Sequence, residues 1–547
     1  MSGSKVFDGL IHIARVADYC EARGISTKEG SERVAALERQ RSERRASRRE
    51  FLKSMGNLAA IGAVGSFAGS LDRVFAAQAL GSDVKVGIVG AGLAGLVCAD
   101  ELRKNGIRST VFDANTRTGG RCWSLRNFFP GQVAERGGEF IDTPHKTLLA
   151  YIREFGLALE DVDKEPGEVF YFFNGQSYPE AAVVDEYRAF VAAMRDDLRQ
   201  LSNEPTADAH NDFDVGLDSL SLAEYLATRG AAPLLKAVLE QAYKAEYGLE
   251  ISQQSCLNFL LFIHADRRSK FTPFGISSDE RYHVVDGNDR IVEGLTRQLK
   301  KQIQMDMKLI RILKTAGGKI ELSFAQGAAI KQFIFDAVVV ALPFSTLREV
   351  ELDPSLALPV WKVNAIQSLG YGTNAKMMLG FNGRPWLSLG GSGESYSDLP
   401  NHQLTWETNP SKSSANRGVL TDYSSGLRGA NLNPNDPQGE ASKFLGDLDQ
   451  VFPGALAAAR RDSQGKFLVH LEHWPSNPLT KGSYTCYLPG QFTTIAGNEG
   501  KPIGNLYFAG EHANSFYDWQ GFMEGAALSG IDAARAILQA IKAGVLG

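Results

Sequence analysis

The reading of one stretch decides the fold: VKVGIVGAGLAGLVCADELRKNGIRSTVFDA, Val84 to Ala114. Val84 to Val89 is a short apolar run of strand type, Leu96 to Lys104 has helical periodicity, and a second strand, Ser109 to Phe112, ends in Asp113. Between strand and helix stands Gly90-Ala91-Gly92-Leu93-Ala94-Gly95, a GxGxxG turn. Gly90 allows the tight turn, Gly92 lets a pyrophosphate approach the backbone, Gly95 lets helix and strand pack closely, and the helix N-terminus favours the anion. Asp113, 23 positions after Gly90, is placed to accept hydrogen bonds from a ribose. A bare GxGxxG says little. Set between strand and helix, with the acid ending the next strand, it predicts a dinucleotide site without separating NAD from FAD.

Two Gly-rich segments follow. Thr118-Gly119-Gly120-Arg121 comes directly after the second strand, and Glu135-Arg136-Gly137-Gly138-Glu139-Phe140 after that. A Gly pair followed by Arg would bring backbone and guanidinium against a diphosphate or an isoalloxazine edge, a bidentate contact that suits Arg; the plain alternative is a Gly-rich loop. At the other end, NLYFAGEHANSFYDWQGFMEGAALSGIDAARAIL (Asn505 to Leu538) reads as a strand, a turn at Gly510-Glu511, and a helix from Gly521 with small residues on one face.

The FAGE and WxGxMEGAxxSG motifs of that segment resemble the flavin-containing amine oxidase family, which includes monoamine, polyamine and L-amino acid oxidases. Tyr282 to Leu295, Met307 to Ile312 and Ala337 to Pro343 resemble the family's returning segments. The resemblance implies an α/β fold: a doubly wound, Rossmann-like FAD-binding domain in three pieces (80–150, 280–345 and 475–547), with an inserted α+β substrate domain (151–279 and 346–474). The residues it assigns to FAD are Gly90, Gly92, Ala94, Gly95, Asp113, Ala114, Gly120, Arg121, Gly137, Gly138, Glu139, Phe140, Leu309, Gly510, Glu511, Gly521, Phe522 and Met523. Among them Leu309 falls where backbone groups hold adenine, Glu511 where the ribityl or diphosphate part is bound, and Met523 where a helix N-terminus faces the flavin pyrimidine ring and stabilises its negative charge on reduction. The polar stretch Gly390 to Asn435, rich in Ser, Gly and Asn, is expected to be an exposed loop region.

Four positions carry the chemistry that the resemblance implies. Lys376, in GTNAKMMLGF, matches the lysine that holds a water against flavin N5, where desolvation would lower its pKa and fit it for proton transfer during reoxidation. Tyr484 and Phe522 match two aromatics flanking the amine, and Trp519 is expected behind them. Some monoamine oxidases bind flavin covalently through a cysteine just before the first of these aromatics. Ser483 stands there and Cys486 is off register, so noncovalent FAD is expected. The implied reaction is oxidative deamination: hydride from the α-carbon of a neutral amine to flavin N5, hydrolysis of the imine, and reoxidation by O₂ or another acceptor such as a membrane quinone. Amino acid oxidases commonly place a carboxylate-binding arginine where this chain has Phe140, which tips the expectation toward a small-molecule amine. Arg267 or Arg268 could serve an L-amino acid instead, and a desaturase of the same architecture is the more distant alternative.

Composition sets the remaining bounds. The chain of 547 residues is 44% hydrophobic and 22% charged, ordinary for a globular protein of two or three domains. A net charge of -5 without a basic stripe argues against a nucleic-acid partner. Cys98, Cys122, Cys256 and Cys486 lie far apart, without the spacing of a disulfide framework or a metal site. Ahead of the fold, SRREFLK (Ser47 to Lys53) resembles the twin-arginine export motif of bacteria; it is followed by a weakly apolar run, Leu58 to Leu71, and a small-residue cleavage site at Ala77-Gln78-Ala79. Residues 1–79 are therefore expected to be a leader outside the fold, the helical pattern of the first 46 residues having no assigned role. That export machinery carries folded proteins, which points to the periplasm or beyond. Substrate, acceptor and assembly, a homodimer included, stay open.

Overall fold

The computed structural model describes residues 83–162, 167–263, 280–414 and 416–546, with most of 13–36. The SRREFLK motif, the apolar run and cleavage site after it, and Arg267 and Arg268 lie outside the described residues.

Strands Val86–Val89 and Ala337–Val340 are buried at every residue. That pattern belongs to central strands of a parallel sheet covered on both faces. Five strands build this sheet in the order Leu506–Phe508, Ala337–Val340, Val86–Val89, Ser109–Phe112, Ile303–Gln304, and every neighbouring pair is parallel. The register sets Val89 beside Phe112 and Val340, so Gly90, Asp113 and Ala341 emerge together at the carboxyl edge, where open α/β sheets bind their ligands. Helices Leu93–Lys104 and Met523–Lys542 cover one face, and their backbones nearly touch: a Cβ on Gly530 would lie 2.2 Å from the carbonyl oxygen of Ala94. The other face is covered by an antiparallel sheet of Lys308–Lys314, Ile320–Gln326 and Ala329–Phe335, with Phe112 stacked on Phe324 at 4.4 Å.

A seven-stranded sheet lies beside this unit, in the order Val469–His473, Ala375–Phe381, Gly418–Ser424, Leu404–Glu407, Gly391–Ser397, Glu168–Phe173, Gln176–Tyr178. Three of its strands fall between Gly390 and Asn435, which corrects the expectation of an exposed loop there. The hydroxyls that made this stretch look like a loop satisfy one another inside the sheet. Ser395 meets Thr405 at 2.6 Å and His402 at 2.9 Å, Ser397 meets His402 at 2.6 Å, and Thr408 meets Thr421 at 2.7 Å. Buried polar groups are tolerated when paired in this way.

Helices Glu180–Gln200 and Pro233–Tyr247 pack against the far strands of that sheet. They share a core with Ile13, Val16, Ala17, Cys20 and Val34. The exclusion of residues 1–79 from the fold therefore fails for 13–36, whose apolar stripe is buried on the body of the protein. Among the described residues no helix is long and apolar enough to cross a membrane.

Candidate active site

A long cavity opens at the carboxyl edge of the parallel sheet, with a volume of about 1780 Å³ including its open mouth. One end lies over Asp113, Ala114 and Leu309, and the other reaches Lys376, Tyr484 and Phe522. Gly90, Gly92, Ala94, Gly120, Arg121, Gly137, Gly138, Gly510, Glu511, Gly521 and Met523 line the path between.

The sheet end is built from backbone. Gly90 has φ +107°, and a Cβ there would sit 2.5 Å from the Ala341 carbonyl oxygen. Gly92 caps helix Leu93–Lys104 without any side-chain cap, so the first amides of that helix are left for an anion. A Cβ on Gly92 would meet nothing within 4 Å, the open approach a diphosphate needs. Gly95 is not on the lining; a Cβ there would lie 1.9 Å from the Gly90 carbonyl oxygen, so it serves the packing of turn on helix. Asp113 accepts hydrogen bonds from the amides of Ala91 (2.7 Å) and Asn115 (2.8 Å). Burial raises its pKa against the pull of those two donors.

Midway, Arg121 Nη1 donates to Glu511 Oε1 at 2.9 Å and to the Ser483 carbonyl at 2.6 Å. Burial, the strongest single influence, works to raise the Glu511 pKa, but the charge and hydrogen bond of Arg121, together with weaker positive neighbours, hold the carboxyl below its ordinary value. Helix Met523–Lys542 also starts on the cavity without a side-chain cap. Two uncapped helix starts, a glycine cradle, a ribose acceptor and a paired Arg–Glu fit a dinucleotide of FAD size laid along the cavity.

At the far end, strand Ala375–Phe381 is buried throughout and carries Lys376. Its Nζ donates to Glu139 Oε2 (2.6 Å), the Gly137 carbonyl (2.8 Å) and the Glu135 carbonyl (3.3 Å). The lone desolvated lysine expected from the sequence is thus replaced by an ion pair, its charge balanced by Glu139. All three of its N–H groups point at protein acceptors, and a water on the cavity side has to share one of them. Glu139, assigned to the cofactor, is corrected likewise: its carboxylate is taken by Lys376 and by Trp406 Nε1 (3.0 Å), and it is not on the lining. Phe140, 3% exposed, faces Trp406 at 5.8 Å between ring centroids and is also off the lining.

The hydroxyl of Tyr484 donates to the Ala245 carbonyl (3.0 Å) at the C-terminal end of helix Pro233–Tyr247, and Tyr423 Oη lies 2.7 Å from it. Asn374 Nδ2 donates to the same Ala245 carbonyl at 2.7 Å. Phe522 is wedged edge-on against Trp519 (5.4 Å) and His145 (5.6 Å). Burial pulls His145 down to about 3, so it packs as a neutral ring. Ser483 bonds Asn374 at 2.6 Å, and Cys486 is buried away from the lining. Sequence reading missed Tyr423, Trp406 and Trp474. Tyr423 comes beside Lys376 only through cross-strand register, a pairing that no local spacing reports.

Comparison with known proteins agrees with this geometry. The model of the flavin-containing amine oxidoreductase family matches residues 93–538. A putative L-amino-acid oxidase of Bacillus subtilis (strain 168) is 26% identical over 475 residues, 82% of this chain and 93% of the relative. The L-amino-acid oxidase of Naja atra is 24% identical, over 83% of this chain and 87% of its own. Among solved structures, cyclohexylamine oxidase from Brevibacterium oxydans IH-35A superposes with a TM-score of 0.71 at 20% identity, covering 84% of this chain and all of that one. Putrescine oxidase bound to putrescine gives 0.68 at 19% identity, over 83% and 99% of the two chains. With the family match running from Leu93, at the start of the helix after the glycine turn, to Leu538 in the terminal helix, the chain belongs to the flavin-containing amine oxidoreductases.

Proposed function

We propose that this amine oxidoreductase acts on a small amine without a carboxylate on its reacting carbon, and holds FAD noncovalently. One observation carries the substrate reading. Around the ring end the cavity is lined by Asn374, Lys376, Tyr423, Trp474, Tyr484 and Phe522, and the two arginines among the described lining residues already have protein partners. Arg121 is engaged with Glu511 and Ser483, and Arg117 with the carbonyls of Thr118 and Gly120. Behind Tyr484, Glu246 is fully buried and acts electrostatically on its hydroxyl. A carboxylate behind the cage favours a cationic or amine group over a carboxylate.

Bound FAD supplies the two-electron acceptor. The protein's part is to bind, orient and dry the amine. Tyr484, fixed by Ala245 and Tyr423, and Phe522, fixed by Trp519 and His145, form two aromatic walls that orient a neutral nitrogen and exclude water. The α-hydrogen leaves with its bonding pair while the nitrogen lone pair closes a C=N bond, and water hydrolyses the imine to carbonyl and ammonia. Lys376, seated between Gly137 and Glu139, is the proton carrier at this end. Ser483 in place of a thiol, and a buried Cys486, support noncovalent attachment.

The test is anaerobic titration of purified holoenzyme with primary amines, polyamines and L-amino acids in turn, following bleaching of the visible flavin bands. Bleaching by amines alone supports the reading. Bleaching by L-amino acids overturns it in favour of the activity for which the sequence relatives are named. Export through the twin-arginine route is part of the proposal, supported by SRREFLK and the run after it. Changing Arg48 and Arg49 together to Lys is expected to leave the protein in the cytoplasmic fraction, and unchanged export would reject that route.

A further inference from the structure

Residues 13–36 precede the twin-arginine motif, yet they are built into the core. Ile13, Val16, Ala17 and Cys20 recur at the spacing of one helix face, and each is at most 1% exposed. The chain turns at Gly24, φ +61°, where the Ile25 amide donates back to the Cys20 carbonyl at 3.2 Å, and residues 27–36 return as a second helix. The two arms are in close contact: a Cβ on Gly30 would lie 2.0 Å from Cys20 Sγ. Together they cover helix Glu180–Gln200, sharing a core with its Val183, Val184, Tyr187 and Val191. Polar contacts fix the register. Arg188 donates to Glu21 Oε1 at 2.8 Å and to Thr27 Oγ1 at 2.9 Å, and the Thr27 hydroxyl, 6% exposed as a residue, bonds Asp185.

We infer that residues 13–36 are a docked segment that stays on helix Glu180–Gln200 whether or not the export signal is cut, so that the signal lies between two packed pieces of the folded protein and is not a free leader. The occupant of this helix face is the chain's own N-terminal segment. Its seat is coupled to the cage. Next to Asp185, Glu186 accepts the Leu235 amide at 2.7 Å and so holds the start of helix Pro233–Tyr247, whose last turn presents the Ala245 carbonyl to Tyr484. A chain cut after Ala79 with its first piece lost would bare the apolar face of Glu180–Gln200 and loosen that seat. The inference does not depend on which amine is oxidised.

The experiment uses the full-length holoenzyme with a site-specific protease sequence inserted between residues 60 and 70. After cleavage, the N-terminal piece is expected to co-elute with the body on size exclusion and to separate only on denaturation, with the flavin spectrum unchanged. A piece that elutes separately while the body keeps its melting temperature overturns the inference. Two variants exclude nonspecific adhesion. Ile13→Asp with Val16→Asp is expected to release the piece after cleavage and lower the melting temperature by several degrees. Glu21→Arg or Arg188→Glu alone should reduce retention several-fold, and the two together should restore it. Retention that none of these changes alters also overturns the inference.

Discussion

Lys376 and Glu139 form a buried ion pair at the reacting end of the cavity, each side chain at most 2% exposed. Breaking such a pair by removing one partner leaves an uncompensated charge. Lys376→Met is expected to slow flavin reoxidation by roughly 10²-fold or more, the scale of a lost proton-transfer group, while anaerobic bleaching by substrate changes far less. Stopped-flow measurement of the two half-reactions separates the effects. Glu139→Gln leaves the lysine beside a neutral amide, so the rate of reoxidation should shift downward while that of bleaching stays in place. An identical shift in both would show that Glu139 serves only the local structure. At this scale the place of Lys376, Tyr484 and Phe522 on the cavity lining was legible because each sits in a short motif. Glu139 was misassigned because its sequence neighbours are glycines of the cofactor loop, and nothing local reports a lysine 237 positions away.

The strand–turn–helix at Val86 to Lys104 is the element on which cofactor binding rests. With a Cβ at position 95 only 1.9 Å from the Gly90 carbonyl oxygen, Gly95→Val forces helix and turn apart. The expected product is protein without visible flavin absorbance, and one that retains a full complement of FAD would contradict this account of the turn. The two-stranded Ser124–Leu125/Ala134–Glu135 element carries a pH effect. Glu135 accepts from Ser124 Oγ and from the Asn288 amide at 2.8 Å each, yet burial pushes it up to about 8. The folded state then holds a proton that the unfolded chain loses near its ordinary 4.5, so this group's contribution is full below that value and is lost as pH rises toward 8. Melting curves at pH 5.5 and 8 should show a smaller difference for Glu135→Gln than for the unmodified protein. The Gly390–Asn435 sheet marks the limit of reading at this scale: composition favoured a loop, and pairing of hydroxyls across strands made it core.

For the whole molecule, the cavity is lined by pieces of chain far apart in sequence, from Gly90 to Met523, all of which bound FAD would touch. A ligand that binds only the folded state at a thousandfold excess over its Kd adds about 4 kcal/mol of stability. Removing the flavin should therefore lower the melting temperature by several degrees, and readdition should restore it. A melting temperature indifferent to flavin would mean that the cavity is held open by packing alone.

The sequence by itself determined the dinucleotide turn, the acid at Asp113 and the terminal helix at Met523, and it pointed to Tyr484 and Phe522, which line the cavity. These depend on backbone conformation and residue type within a few positions, where spacing and chemistry coincide. Only the tertiary structure decided that Lys376 is neutralised by Glu139, that Tyr423 and the Ala245 carbonyl fix Tyr484, and that residues 13–36 belong to the core. Each of those is a contact between segments far apart in the chain, set by strand register and helix packing. Such geometry leaves no periodicity in the sequence, because the folded chain alone brings the partners together.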